Sequence, residues 1–410
     1  MTDSCFSTGL VPFEQALKRM LVEIIPLTST ELVSLNNSIN RVVAENICSP
    51  VNVPPTDNSA MDGYAFAASH TSDVPLNVVG KSMAGAPFQG TCKAGECVRI
   101  MTGAVIPDGC DTVVMQEQCL LTDEKVLLQT SVKPNKNVRH AGEDVTQGDC
   151  VFTIGRRLST IDIGVLASLG IDTVKVYKPV KVALFSTGDE LKHPGETLST
   201  GDIYESNSYY LRAMLEKFGV EVISMGIIAD DKEKISQAFI DADQSADVVI
   251  TTGGVSVGEA DYTKQILESL GQINFWKVAI KPGKPFAFGK LPNSYFFGLP
   301  GNPVSALVTA HQLVMPAIAA LQNLVLPKPI YLTAKTMSSL RKVPGRMDFQ
   351  RGIMQTDETG QLVVSSTGNQ GSGVLTSMAM ANCYIVLPQE EGHIEADKFV
   401  TILPFDQYLQ

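Results

Sequence analysis

Charge is scarce in this chain and lopsided in sign. Only 18% of the 410 residues are Asp, Glu, Lys or Arg, and 43 acids outweigh 32 Lys and Arg, for a formal net charge of −11. That balance argues against bulk electrostatic adhesion to nucleic acid or to anionic membrane, although a local cluster of cations can still hold a small anion. Cysteine is also sparse: eight residues, none in a C-x-x-C pair, are too few for a disulfide scaffold at this length. The five histidines (70, 140, 193, 311, 393) are equally dispersed, so zinc or iron–sulfur ligation has little support. The first twenty residues lack a long apolar run, and no segment is read as reaching the ~18 apolar residues of a membrane span. The expectation is a soluble, reduced, cytoplasmic protein. Hydrophobic residues at 44% supply ample core, and the length predicts several domains.

What is present changes in texture along the chain. Residues 13–25 carry apolar side chains at helical spacing and stop before Pro26. From about 50 to 150, short apolar pieces alternate with Gly and Pro, as in a β-rich module with tight turns. LSTIDIGVLASLGI predicts a helix capped by Ser159 or Thr160 and ended by Gly170. From 181 to about 325, apolar strands and helices alternate, which predicts a doubly wound α/β domain with helices on both faces of a parallel sheet. Short strands return over 330–410, predicting a small β-barrel or sandwich.

In a doubly wound sheet, ligands bind beyond the carboxyl ends of the strands. Five loops are placed there: Ser186–Glu190, Ala229–Asp231, Thr251–Asp261, Lys281–Pro285 and Gly298–Ser305. Gly253, Gly254 and Gly258 can present backbone N–H groups to an anion, but their spacing is neither a dinucleotide fingerprint nor a Walker loop. Lys277, Lys281 and Lys284 lie in one Pro/Gly-turned segment and suggest an anion site. Asp189, Glu190, Asp230 and Asp261 gather at the same end of the sheet. Asp231 and Asp261 also precede helices, where capping is an equal explanation. Carboxylates so grouped repel unless a cation neutralises them, and oxygen-only ligands suit Mg²⁺ bridging to phosphate. Pro300 and Pro303 bracket Gly301-Asn302 ahead of a helix holding Ser305. Arg341, Arg346 and Arg351 flank a Pro-Gly turn and read equally as a solvated strand edge or as anion ligands.

The motifs DNSAMDGY, RIMTGA, RHAGED, LFSTGDEL, GIIADD, TTGGVSVGEADYTK, KPGKPFAFG, GLPGNPVS and VPGRMDFQRG occur in that order, within a resemblance that extends from about residue 7 to 405. Together they closely resemble the molybdopterin molybdenumtransferase family, which includes MoeA and the gephyrin E domain. The resemblance implies a connecting domain (1–49 with 146–178), an inserted β-rich module (50–145), a MoaB/Mog-like α/β domain (179–327) and a C-terminal β-barrel (328–410). It implies insertion of molybdate into adenylylated molybdopterin with Mg²⁺ and release of AMP. Glu190 and Asp230 would be metal-site or catalytic carboxylates, with Asp62 and Asp261 as further essential acids. Lys277 and Lys281 would hold the pterin phosphate, and Gly253, Gly254, Ser256 and Gly258 the nucleotide phosphates. Thr102, Asp144, Pro300 and Pro303 would also contact substrate. Lys284, Ser305, Arg346 and Ser372 would form the molybdate pocket, with Ser377 an alternative to Ser372. His140 follows the arginine of the RHAGED motif, where relatives tolerate a basic residue. The family is homodimeric, so the DNSAMDGY module would complete the partner's site. A molybdopterin adenylyltransferase and cofactor-accepting molybdoenzymes are the expected partners. The rivals are a molybdopterin adenylyltransferase, which resembles residues 180–325 alone, and a non-catalytic scaffold of the gephyrin type.

Overall fold

A computed structural model describes residues 9–70, 73–253 and 261–409, and the chain divides into two compact units. One comprises 32–39 and 43–175; the other comprises 1–31, 40–42 and 176–410.

The first unit is built on a six-stranded sheet, in the spatial order Thr112–Met115, Gly63–Phe66, Glu96–Ile100, Leu76–Ser82, Lys125–Leu128, Cys119–Thr122. Tyr64, Phe66, Cys97, Val114 and Val126 pack into its core. The chain enters this module through Ile47–Cys48 and leaves it through Cys150–Phe152, which pair antiparallel. Beyond them, helix Thr160–Ser168 starts in a capping box. The Asp162 N–H donates to Ser159 Oγ (3.3 Å), and the Ser159 N–H donates to Asp162 Oδ2 (2.9 Å).

The second unit holds a six-stranded sheet. Its strands, labelled in chain order, are β1 (Lys181–Thr187), β2 (Glu221–Ile228), β3 (Val248–Thr252), β4 (Gln272–Lys277), β5 (Pro285–Lys290) and β6 (Tyr295–Leu299). The spatial order is β2-β1-β3-β6-β5-β4. Helices α1 (Asn207–Lys217), α2 (Lys232–Ser245) and α3 (Asp261–Leu270) join the strands, and α4 begins at Pro303. Val182 and Leu184 enter one apolar cluster while Ala183 and Phe185 enter another. The period of two thus serves two buried faces, and this is why the strands read as unbroken apolar runs. Each such Leu or Phe contributes roughly 1.5–3 kcal/mol by its burial.

Two expectations change. The sheet is not wholly parallel: β5 runs antiparallel to both β4 and β6. The seven residues 278–284 are too few for a helical crossover, which needs a dozen or more, so the chain turns straight back. Because β5 starts where the parallel strands end, the lysine loop still lies at the carboxyl edge. The second correction concerns membrane length. The continuous helical stretch Pro303–Leu321 is 19 residues long and apolar enough to span a bilayer, but 83% of its most apolar window is buried, so it is a core helix. Within it, Pro316 lacks an N–H, and the turn before it, Ala310–Val314, widens to a π-turn.

The C-terminal strands β7 (Leu332–Thr336), β8 (Met347–Thr356), β9 (Leu362–Ser366), β10 (Cys383–Leu387) and β11 (Phe399–Pro404) pair in the cycle β7-β9-β8-β10-β11-β7, a closed five-stranded barrel. Val364, Ile385, Leu387 and Ile402 fill it.

Candidate functional site

At the carboxyl edge of the sheet, the ends of β1, β3 and β6 surround a cleft of about 360 Å³ lined by Thr187, Glu190, Tyr204, Glu205, Asn207, Thr252, Gly253, Gly301, Asn302 and Pro303. Polar bonds fix its floor. Ser186 Oγ on β1 lies 2.8 Å from Thr252 Oγ1 on β3 and donates to Glu205 Oε1 (3.1 Å). The Ser208 N–H and hydroxyl donate to the same buried Glu205 carboxylate. Asn207 Nδ2 donates to the Gly301 carbonyl (2.8 Å), holding the GLPGNP loop against α1. Glu205 and Asn207 were not anticipated. They sit in a Y-E-S-N turn at a helix start, where the local signal is that of a cap and the burial comes only from folding.

Gly253 closes the strand with φ +86°, and a Cβ there would stand 2.9 Å from the Thr187 carbonyl oxygen. Gly253→Ala should therefore cost more than ~1 kcal/mol in thermal or denaturant unfolding, through both backbone strain and this contact. A variant as stable as the wild type would show that the turn relaxes. Gly254, Ser256 and Gly258 lie outside the described residues, as does the side chain of Asp261, whose backbone opens α3.

Next to the cleft lie the acids. At Gly188, φ is +145° and a Cβ would meet Glu190 Oε2 at 2.6 Å, so the glycine makes room for the folded-back Glu190 carboxylate. The Asp230 N–H donates to Asp189 Oδ1 (3.1 Å). Desolvation, followed by repulsion from Asp189 and Glu190, raises the Asp230 pKa above the ordinary aspartate value. Asp231 is the N-cap of α2, accepting from the Lys234 N–H (3.0 Å), so its role is helix initiation. Among the described residues no three His, Cys, Asp or Glu converge into a ready-made metal cage. The donor set nonetheless fits Mg²⁺, which needs only one or two carboxylates and completes its shell with water and substrate phosphate. The gathering of Asp189 and Asp230 through that backbone bond, with Glu190 folded back beside them, is the arrangement that favours a cation here.

A second cavity, of about 330 Å³, is lined by Lys281, Arg341, Lys342, Val343, Arg346, Asp348 and His393. Lys281 Nζ pairs with the buried Asp348 carboxylate at 3.1 Å. Lys342 is buried and donates to the Glu391 carbonyl (2.9 Å); desolvation lowers its pKa, and Asp348 partly counters this. Lys281 and Arg346 thus meet in one cationic cavity, to which the sequence reading did not assign Lys342 or His393. Ser305 and Ser372 are not among its walls but are adjacent to each other, because the Val304 N–H donates to the Ser372 carbonyl (2.9 Å). The lysine loop reaches the same place: a Cβ on Gly283, beside Lys284, would lie 3.4 Å from the Ser305 carbonyl. Ser377 is engaged structurally, accepting from Arg351 Nε (3.0 Å) and donating to the Val374 carbonyl (2.6 Å). The reading of Arg351 as a solvated edge charge is corrected: it is 1% exposed. Lys277 is exposed at the end of β4; Pro300 is buried and Pro303 is the first residue of α4.

In the other unit, Asp62 and Thr102 come together. The Thr102 N–H (2.7 Å) and hydroxyl (2.8 Å) both donate to Asp62 Oδ1, holding the carboxyl below its usual pKa and therefore ionised. Asp144 is exposed in the same module, and His140 Nδ1 lies 3.1 Å from Asp57 Oδ2.

An α/β sheet with carboxylates and backbone donors at its switch edge, coupled to a barrel that contributes a cationic cavity, defines an enzyme that handles anionic substrates. Comparison with known proteins makes the class specific. Models of the MoeA N-terminal region (domains I and II), a probable molybdopterin-binding domain and the MoeA C-terminal region (domain IV) match residues 11–170, 183–320 and 333–405. A molybdopterin molybdenumtransferase of Haemophilus influenzae is 49% identical over 98% of this chain and 100% of its own length. A crystal structure of a molybdopterin biosynthesis MoeA protein from Pyrococcus horikoshii superposes with a TM-score of 0.85 at 30% identity, covering 97% of this chain and 100% of that one. Gephyrin of Dictyostelium discoideum is 32% identical over 96% of this chain but only 62% of its own length. The chain belongs to the molybdopterin molybdenumtransferase (MoeA) family and is a transferase of molybdenum cofactor biosynthesis.

Proposed function

We propose that this transferase takes adenylylated molybdopterin and molybdate, cleaves the phosphoanhydride in a Mg²⁺-dependent step and releases AMP as molybdenum joins the dithiolene. The observation that carries the reading is the separation of opposite charges within one unit. Acids and backbone donors stand at the sheet edge, and Lys281, Arg341, Lys342 and Arg346 surround a different cavity. A single acidic site would repel molybdate, whereas separate sites let each half-reaction have its own electrostatics.

Glu190 and Asp230 would hold the ion, which when bound supplies Lewis-acid polarisation of the phosphoryl oxygens and charge neutralisation at the leaving AMP. The edge cleft orients the nucleotide end through the Gly253 turn and Asn207. Lys277 and Lys281 bind the pterin phosphate, with Asp348 holding Lys281 in place. Arg346, Lys284, Ser305 and Ser372 donate to molybdate. Asp62, kept ionised by Thr102, completes a site across a homodimer. The protein works in the cytoplasm, receiving its nucleotide substrate from the adenylyltransferase and passing the cofactor to molybdoenzymes.

The test is incubation of the protein with adenylylated molybdopterin, Mg²⁺ and micromolar molybdate. AMP release that molybdate does not trigger would refute the reading, and a pure adenylyltransferase or scaffold would show none. Arg346→Ala should raise the molybdate concentration for half-maximal AMP release by roughly tenfold, as expected for one lost charge-assisted contact of about 1.5 kcal/mol. Unchanged molybdate dependence would remove Arg346 from the pocket.

A further inference from the structure

Two cysteines outside the proposed chemistry face each other at the neck of the β module. Cys48 on the entering strand and Cys150 on the leaving strand are register partners in an antiparallel pair. The Ser49 N–H donates to the Asp149 carbonyl (2.9 Å), so 49 and 149 occupy a hydrogen-bonded position. The next position, 48 with 150, is therefore a non-hydrogen-bonded pair, just before the register shifts between Cys150 and Phe152; in a regular ladder such pairs bring side chains closest, with Cα atoms about 4.5 Å apart. That spacing falls within the ~4.4–6.8 Å a disulfide bridges. Both residues are reduced and exposed. Their thiols share a hydrogen bond, and Cys150 Sγ also lies 3.6 Å from the Phe152 carbonyl.

Among the described residues, Cys48 and Cys150 are the exposed thiols and the others are less accessible. Cys92 and Cys110 also interact, but Cys92 is buried and Cys110 only partly exposed, which keeps a small disulfide from reaching them. Cys97 and Cys383 are buried and pushed up to about 12.

We propose that Cys48 and Cys150 form an oxidation site, a dithiol that reacts with low-molecular-weight disulfides and closes a reversible cross-strand clamp. One thiolate attacks the small disulfide, forming a mixed disulfide and expelling one small thiolate. The second cysteine, deprotonated, attacks the protein-bound sulfur and expels the other. The protein dithiol is oxidised by two electrons, the small disulfide is reduced to two thiols, and both protons go to those thiols. The new bond closes a loop of roughly 100 residues, the entire β module, at the point where its two chain passages already pair.

The experiment treats the full-length protein with oxidised glutathione, blocks free thiols and maps peptides without reduction. A Cys48–Cys150 linked peptide should dominate. Cys48→Ser should leave a glutathione adduct on Cys150, and Cys150→Ser one on Cys48. Glutathione on both cysteines of the wild type without a cross-link, or earlier linkage of Cys92 to Cys110, would overturn the assignment. In the oxidised wild type, amide exchange at residues 47–49 and 149–151 should slow by about tenfold and recover with dithiothreitol. Cross-linking without slower exchange would refute the clamp. Because both side chains are exposed, the serine variants should fold.

Discussion

Asp230→Asn is expected to reduce molybdate-triggered AMP release by about 100-fold or more while raising the thermal midpoint at neutral pH. The first effect follows if the carboxylate holds the cation, since a neutral amide binds Mg²⁺ poorly. The second follows from the desolvation and repulsion already described. The folded-state pKa of Asp230 is raised by desolvation and by Asp189 and Glu190, so the ionised form costs more in the folded chain than in the unfolded one. That cost is present in full above the folded pKa and vanishes below the unfolded value of about 3.9. Wild type should therefore be less stable than Asp230→Asn at pH 7, and the gap should narrow as pH falls through the raised pKa. Scanning calorimetry at several pH values, paired with the AMP assay, checks both halves. Full activity in the variant would remove Asp230 from the mechanism. A lower midpoint at neutral pH would contradict the electrostatic account.

The features legible in the sequence were those written by local pattern. The strand–helix alternation after residue 181, the helix at 160–168 with its Ser159 cap, and the position of the acidic and lysine loops all follow from short-range spacing and turn residues. Strand direction was less accessible: nothing in PFAFG says antiparallel, and only the short connection from Lys277 to Pro285 implies it. Partnerships across long separations were invisible as well. Asp62 meets Thr102 forty residues on, and Lys281 meets Asp348 sixty-seven residues on. The apolar stretch Pro303–Leu321 looks like a membrane span by composition and is a core helix by context, because the sheet and the barrel-side residues Phe349 and Tyr384 share its apolar cluster. Burial of a charge was hardest to foresee. In RMDFQRG, Arg346 and Arg351 have the same chemistry, but Arg346, just before β8, reaches the cavity wall, while Arg351, five residues on within β8, lies in the interior.

Arg351→Ala should be the most destabilising of the substitutions considered, by roughly 3–5 kcal/mol, because it empties a buried position and leaves its partners unsatisfied. The guanidinium donates to Ser377 Oγ (3.0 Å) and to the Gly371 carbonyl (3.0 Å), and lies 3.5 Å from the Asn369 carbonyl. Its backbone N–H donates to Gln370 Oε1 (2.8 Å). One side chain thus ties β8 to the whole segment 369–377, which carries Ser372 to the start of α4. Burial depresses the Arg351 pKa and the buried Asp348 counters that, so loss of the cation also leaves Asp348 less compensated. Arg351→Lys keeps the charge but not the planar fork, and should recover only part of the stability. If Ser372 serves molybdate, Arg351→Lys should also raise the molybdate requirement by several-fold, with a smaller effect on the maximal rate. Denaturant unfolding and molybdate titration of AMP release separate these effects. Equal losses in Lys and Ala variants would assign Arg351 to geometry alone, and a stable Ala variant would show that the 369–377 segment holds its shape without the arginine.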